Sequence, residues 1–402
     1  MLTLIIAATL LTVSAMADGD VAEITTGEQT TTYSTPEAFK DAVSALSGEA
    51  EIKLLQDIFI PGSRVTQQKL TIPADATVTL DLNGKTLSVA YMVEIKGGLT
   101  VKDGSTSGDG KIVSTATSTA SSYAPINVKS SGKLTFESGT VTGSDGGYAL
   151  SVSSSAEAEI SGGTWSGSIS AAANDLAITG GNFTYDISPY VEVNKKVVLT
   201  DGYYSINGTL TETDAAAKID GNYYASVVSA LKNATEGSTV TVLKNTYESG
   251  AVIVSANNVT LDLNGNTVNM GGNKLTVSSS GSLTIKCKAF GEGKIEGTAS
   301  QLISVAGTLV LESGSIEADS TAVYTQKNST FKMTGGTVEG APAVNVYGGT
   351  VEITGGSVTA GDDMAVKTGK YAQTITVGTK DSGNYTLPYV DGITLANSLK
   401  VQ

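Results

Sequence analysis

The sequence predicts an all-β parallel solenoid laid down in two tandem copies, each opened by a short amphipathic helix. Three observations carry that prediction. The segment TLDLNGKTL at 79–87 returns as TLDLNGNTV at 260–268, and self-similarity at a long period marks repeat architectures. A shorter Gly-rich motif recurs about every 20 residues inside each copy. Around it apolar and polar residues alternate, the two-residue period of a half-buried strand.

The elements follow in order along the chain. Residues 1–17, MLTLIIAATLLTVSAMA, read as a signal peptide: an apolar run closing on the small-x-small site Ala15-Met16-Ala17, with Asp18 as the expected mature start. The run carries no Lys or Arg, so a basic n-region is missing. It is shorter than the ~20 residues a membrane span needs, and no later apolar segment qualifies. The expected location is therefore secreted or at the extracellular cell surface, with no transmembrane span in the mature chain. Residues 18–30 are expected to form an N-terminal linker, 31–210 the first solenoid unit and 211–402 the second.

Each unit opens with a helical signal. Phe39, Ala42, Val43 and Leu46 fall at i, i+3, i+4 and i+7, and Tyr224, Val227, Val228 and Leu231 repeat those offsets, which places four apolar groups on one helix face. Pro36 suits a first helical turn, with Ser34 or Thr35 as N-cap. Both helices, 36–46 and near 222–233, are expected to lie as lids over the open edge of a coil, because an uncovered strand edge recruits other chains.

Matched segments then run in the same order through both copies: the DLNG segments, GGLTV (97–101) against GSLTI (281–285), GKI (110–112 and 293–295), LTFESGTV (134–141) against LVLESGSI (309–316), and NFTYDISPYV (182–191) against NYTLPYV (384–390). The spacing between them drifts, which assigns the insertions to loops. The short motif is ESGTV (137–141), SGGTW (161–165) and TGGNF (179–183), then ESGSI (312–316), TGGTV (334–338) and TGGSV (354–358). A strand, a Gly corner and another strand describe one coil. The glycines are expected where the backbone needs positive φ or a close approach.

The chain resembles the right-handed parallel β-helix proteins of the pectin-lyase-like superfamily, in particular tandem surface or secreted proteins of anaerobic gut bacteria. The residues that carry the resemblance are YYASVVSALKNATEGSTVTVLKN (223–245), VTLDLNGNTV (259–268) and the TGG segments with NFTYDISPYV. It implies a right-handed parallel β-helix from about residue 31 onward. It leaves function open, because one scaffold hosts many activities.

Composition narrows the chemistry. The chain has no histidine, which removes Ser-His-Asp, Cys-His and His-metal chemistry. Arg64 is the only arginine and stands in PGSRVTQQ (61–68), an insertion absent from the second copy. The resemblance implies Asp residues with His, Arg or Lys in the enzymes of the superfamily, and none of those patterns is legible here. Catalytic residues, cofactor and metal site are therefore each expected to be none. A net charge of −14 with no basic cluster argues against nucleic acid and against anionic membranes.

Individual residues receive structural roles. Asp81 and Asp262 alternate with flanking leucines and are expected to point outward. Asn83-Gly84 and Asn264-Gly265 are expected to make the corners. Asp103 with Asp109, and Asp362-Asp363, are read as chance clusters in an acidic chain. Cys287 alternates with Lys286 and Lys288 and is expected inward as a small apolar group. Trp165 and Phe183 occupy the slot filled by Val141, Ile316, Val338 and Val358, and are expected in the core. Tyr203 and Tyr204 are the candidate binding residues. The expected function is an exported, non-enzymatic structural or adhesive module that presents a polar wall to a glycan or surface protein; the alternative is a polysaccharide lyase or other carbohydrate-active enzyme.

Overall fold

Alternating side chains resolve into columns of apolar residues that climb from coil to coil. The computed structural model describes residues 19–66, 68–288, 293–360, 365–369 and 371, and beyond these the strand segments 373–377, 379–381, 384–386, 389–390 and 393–394. Residues 1–17, expected to be a signal peptide, Asp18 and Asp362-Asp363 lie outside the described residues. Among the described residues the chain makes a parallel β-solenoid of about 13 turns. It divides into two compact units, Met1–Glu157 with Gly162–Ile169, and Ala158–Ser161 with Ser170–Gln402.

In the first unit three parallel sheets enclose the core. One stacks Ile52, Leu80, Val101 and Phe136 in register. A second stacks Ile58, Leu87, Ile112, Val141 and Trp165. The third stacks Leu70, Val93, Ile126 and Leu150. All thirteen are buried, and each such side chain stabilises by roughly 1.5–3 kcal/mol relative to exposure. Trp165 meets the edge of Phe136 at 4.5 Å between ring centroids, so Trp165 packs inside as its motif slot predicts.

The second unit repeats the scheme. Val240, Leu261, Ile285, Leu311, Met333 and Ile353 form one column. Val268, Ile295, Ile316, Val338 and Val358 form the next. Val252, Leu275, Ile303, Val323, Val344 and Val366 form the third. Phe183 is buried too.

The Gly motif works at the corners. The last glycine of each motif, Gly139, Gly163, Gly181, Gly314, Gly336 and Gly356, has φ between 82° and 109°. At Gly336 a Cβ would stand 2.4 Å from the carbonyl oxygen of Gly314, one coil earlier. That carbonyl accepts the Thr337 N–H at 2.9 Å. Positive φ and the closeness of the neighbouring coil both exclude a side chain there.

The expected linker is corrected by the structure. Ala22–Thr26 and Gln29–Tyr33 form an antiparallel hairpin, and its first strand pairs antiparallel with Gly48–Leu54. The hairpin occupies the edge that a parallel stack leaves open. The helix α1, Pro36–Ser44, follows with Thr35 as N-cap, its Oγ1 accepting the Ala38 N–H at 3.2 Å. Phe39 and Val43 are buried, and the helix lies against strands 58–60 and 70–72.

The helix α2, Val227–Asn233, opens on Ser226, whose Oγ accepts the Ser229 N–H. Tyr224 belongs to the preceding strand instead, Asn222–Tyr224, which pairs antiparallel with Ala217–Ile219. All of Val227 to Leu231 is buried, so α2 is an enclosed plug and not an exposed lid. On one side the Ser229 hydroxyl donates to Val191 O and the Lys232 ammonium to Leu176 O. On the other it packs on strand 252–254. Residues 172–174 and 251–253 are bonded directly, through Ala173 N–H to Ala251 O at 2.8 Å and a two-way bond between the Asn174 amide and Ile253. Among the described residues no helix is long and apolar enough to cross a membrane.

Candidate functional site

The DLNG residues build corners. Asn83 (φ 48°) and Gly84 (φ 72°) are both left-handed, and Lys85 N–H bonds Leu82 O at 2.8 Å, the geometry of a type I′ turn. Asp81 Oδ1 accepts the N–H groups of Asn83 and Gly104, each at 2.8 Å. Asn83 Nδ2 donates to Leu54 O one coil back. Gly84 N–H donates to Asp103 Oδ1 at 2.8 Å. Asp103 is thus no chance neighbour of the exposed Asp109: it also accepts from Gly110 and Ser105. Burial pushes its carboxyl up, but the Gly110, Gly84 and Ser105 donors outweigh that and hold it below the ordinary aspartate value.

The second corner follows the same plan. Asn264 (φ 50°) and Gly265 (φ 78°) turn, Asn264 Nδ2 reaches Val242 O, and Asp262 Oδ1 accepts from Asn264 and Lys288. Asp262 alternates with the buried Leu261 and Leu263 and is nevertheless only 4% exposed, because the segment at Lys288 covers it and donates to it. One expectation is corrected. Cys287 is only half-buried, and its Sγ accepts the Gly265 N–H at 3.3 Å. The strand ends at Lys286, so inward-outward alternation no longer governs the next residue.

Arg64 sits in an exposed turn. Tyr203 and Tyr204 lie on the antiparallel hairpin Lys195–Thr200/Tyr203–Thr209, opposite Thr200 and Leu199. Tyr203 is 37% exposed, and Tyr204 also faces Phe183 across the sheet. The hairpin places them side by side on opposite faces, so they do not form one platform.

A different aromatic row stands on the second unit. Tyr324 lies in strand Thr321–Thr325, Tyr347 follows Val344–Val346, and Tyr371 follows Val366–Thr368. Tyr324 and Tyr347 stack at 5.8 Å with 29° between planes, and Tyr347 meets Tyr371 edge-on at 5.0 Å. Lys327 Nζ lies 5.7 Å from the Tyr371 ring. Tyr347 and Tyr371 are 37% and 41% exposed, and Asn345 stands opposite Tyr324 in register. A hydrogen bond with Tyr371 raises the Tyr347 phenol, and burial raises that of Tyr324. Both hydroxyls therefore keep their protons at neutral pH. Sequence reasoning missed this row, although its steps of 23 and 24 residues match the coil period.

The adjoining sheet carries an acidic groove, a cavity of about 360 Å³ whose lining includes Asn269, Glu296, Glu317, Asp319 and Glu339. Glu296, Glu317 and Glu339 are register neighbours on three coils. Lys294 Nζ lies 2.8 Å from Glu296 and 2.9 Å from Glu317, and those bonds raise the ammonium's affinity for its proton. Asn269 Nδ2 donates to Glu296 at 2.7 Å. The two carboxylates clamp one cation between coils. Among the described residues no group of three or more His, Cys, Asp or Glu is placed to hold a metal ion. No protein-family model, no curated protein and no solved structure matches the chain.

Proposed function

We propose that the protein is an exported, non-enzymatic β-helix module that works outside the cell as a structural or adhesive element holding glycans on a side wall. The single observation that carries this reading is the row Tyr324, Tyr347 and Tyr371. Exposed rings present flat apolar faces to the C–H faces of pyranoses, while phenol hydroxyls, Asn345 and Lys327 stand ready for sugar hydroxyls. Kinship with the right-handed β-helices of the pectin-lyase-like superfamily, and with surface proteins of gut anaerobes, belongs to the same proposal. The absence of histidine supports holding over reacting.

Glycan-array binding of the purified protein tests it. Wild type is expected to retain a defined glycan set, and Tyr347→Ala to lose about tenfold in affinity, the worth of one stacked ring. Equal binding by wild type and the Tyr347→Ala, Tyr371→Ala double variant would contradict the assignment. The competing reading, a polysaccharide lyase or other carbohydrate-active enzyme, draws support from the carboxylates of the acidic groove. Unsaturated product from uronate polymers, with or without calcium, would favour it, and loss of that product in Glu317→Gln would place the chemistry in the groove.

A further inference from the structure

The third sheet of the first unit carries a charged cluster that strand pairing and core packing do not require. Glu94 lies between the core residues Val93 and Ile95, on the opposite face of its strand, yet it is only 5% exposed. Lys69 Nζ donates to its Oε1 at 3.0 Å, and Lys96 Nζ lies 3.3 Å from Oε2. Lys129 follows the next strand, Ile126–Val128, and interacts electrostatically with Glu94, Lys69 and Lys96. Lys69 and Lys96 thus pair with one carboxylate, and the Lys129 N–H, bonded to Ile95 O at 2.8 Å, sets Lys129 on the coil beside Lys96, a local excess of positive charge in a chain of net charge −14. Burial pushes the Lys129 ammonium down, and the neighbouring lysines add to the effect while Glu94 opposes it.

A second feature is independent of charge. Asn127 stands beside Glu94 in register and is 2% exposed, and its Oδ1 has no hydrogen-bond partner. Glu94 Oε2 is paired with Lys96 at 3.3 Å. One buried acceptor, Asn127 Oδ1, therefore waits for a donor beside the ammonium groups of the neighbouring coil. Buried acceptors left unmet are rare in folded proteins. The Lys96 side chain is 50% exposed, so the rim of the cluster opens to solvent while Asn127 lies at its floor.

We infer that this cluster is a binding site for inorganic phosphate, which keeps a P–OH near neutral pH, with Lys96 and Lys129 on its charged oxygens and its hydroxyl donating to Asn127 Oδ1. The chemistry separates phosphate from sulfate, which matches it in size and shape but has no proton to donate near neutral pH. Charge alone treats the two alike. The orphaned Asn127 oxygen does not.

Calorimetric titration of the full chain with inorganic phosphate, and with sulfate at matched ionic strength, tests the inference. Phosphate is expected to bind saturably and at least about tenfold tighter than sulfate, the effect of one hydrogen bond to a charged partner. Lys129→Gln is expected to weaken phosphate by about tenfold, with circular dichroism checking that it folds. A sugar phosphomonoester, which loses its last P–OH above about pH 6, is expected to bind more weakly than inorganic phosphate at neutral pH, and tighter binding of it would overturn the P–OH contact to Asn127. Equal affinity for sulfate and phosphate, or binding of neither by wild type, overturns the inference, and the wild-type comparison stands whether or not the variant folds.

Discussion

The corners after Asp81 and Asp262 share a plan and differ in one acceptor atom. Gly84 donates its N–H to the Asp103 carboxylate at 2.8 Å, whereas Gly265 donates to the Cys287 sulfur at 3.3 Å. On both sides the residue in question donates its own N–H to a serine hydroxyl oxygen, Ser138 Oγ for Asp103 and Ser313 Oγ for Cys287. The backbone therefore demands an acceptor at this point and tolerates its chemistry. What changes is the workload: Asp103 also holds Ser105 and Gly110, which a single thiol cannot do. A charged acceptor with several donors binds them more tightly than a neutral sulfur.

That comparison breaks if shared parts behave differently or unlike parts behave alike. The largest expected effect is at the shared glycines. A Cβ on Gly139 would meet Leu82 Cδ1 at 2.8 Å, and one on Gly314 would meet Leu263 Cδ1 at 2.9 Å, both at positive φ. Gly139→Ala and Gly314→Ala should each cost about 3 kcal/mol, measured by chemical denaturation. A gap of more than about 1 kcal/mol between them would show that the corners are not equivalent.

Next come the unlike acceptors. Asp103→Ala should cost about 2 kcal/mol, since several N–H groups lose their partner, and Cys287→Ala less than about 1 kcal/mol. Faster amide exchange at Gly84 than at Gly265 in the paired variants would report the same difference locally. Equal losses would contradict the account.

Two carboxylates should respond to pH with opposite sign. The pKa of Asp103 is depressed, so its contribution is present above the ordinary value of 3.8 and lost as pH falls through the lower folded value. Glu248 behaves the other way. Burial raises its carboxyl although it accepts the Val227 and Val228 N–H groups at the start of α2. Its contribution is fully present below 4.5 and lost as pH rises through the raised folded value. Thermal melts should show the stability of wild type relative to Asp103→Asn shrinking below pH 3.8, and relative to Glu248→Gln shrinking above 4.5.

The smallest effect sharpens the comparison. Cys287→Asp gives the second corner the acceptor of the first and should stabilise by about 0.5 kcal/mol, seen as slower exchange at Gly265. Unchanged or faster exchange would mean that the thiol is required there for another reason.

These contrasts also mark what the sequence made legible. The Asn-Gly corners, the glycines at positive φ, the face of α1 and the inward slots of Trp165 and Phe183 are local facts, fixed by side-chain alternation and by which residues tolerate left-handed backbone. The opening hairpin was hidden because Gln29–Tyr33 has no buried face and so no alternation to read. The misplaced Cys287 stands past a strand end, where the period of two stops, and the cover over Asp262 comes from Lys288, a contact from a distant part of the chain. The enclosure of α2 depends on Leu176, Val191 and Glu248, contacts from distant parts of the chain. The tyrosine row fell between these cases. Its spacing was visible, but two of its rings stand just past strand ends, where no pattern announced which way they faced.

The claim that the tyrosine wall holds its ligand without altering it can be tested in one tube. The protein is incubated with the polysaccharide chosen by the glycan array, then retained polymer and released small products are measured together over hours. Retention that falls with Tyr347→Ala while chain length stays constant is the predicted result. Shortening of the polymer by wild type, abolished by Glu317→Gln and untouched by Tyr347→Ala, would contradict it.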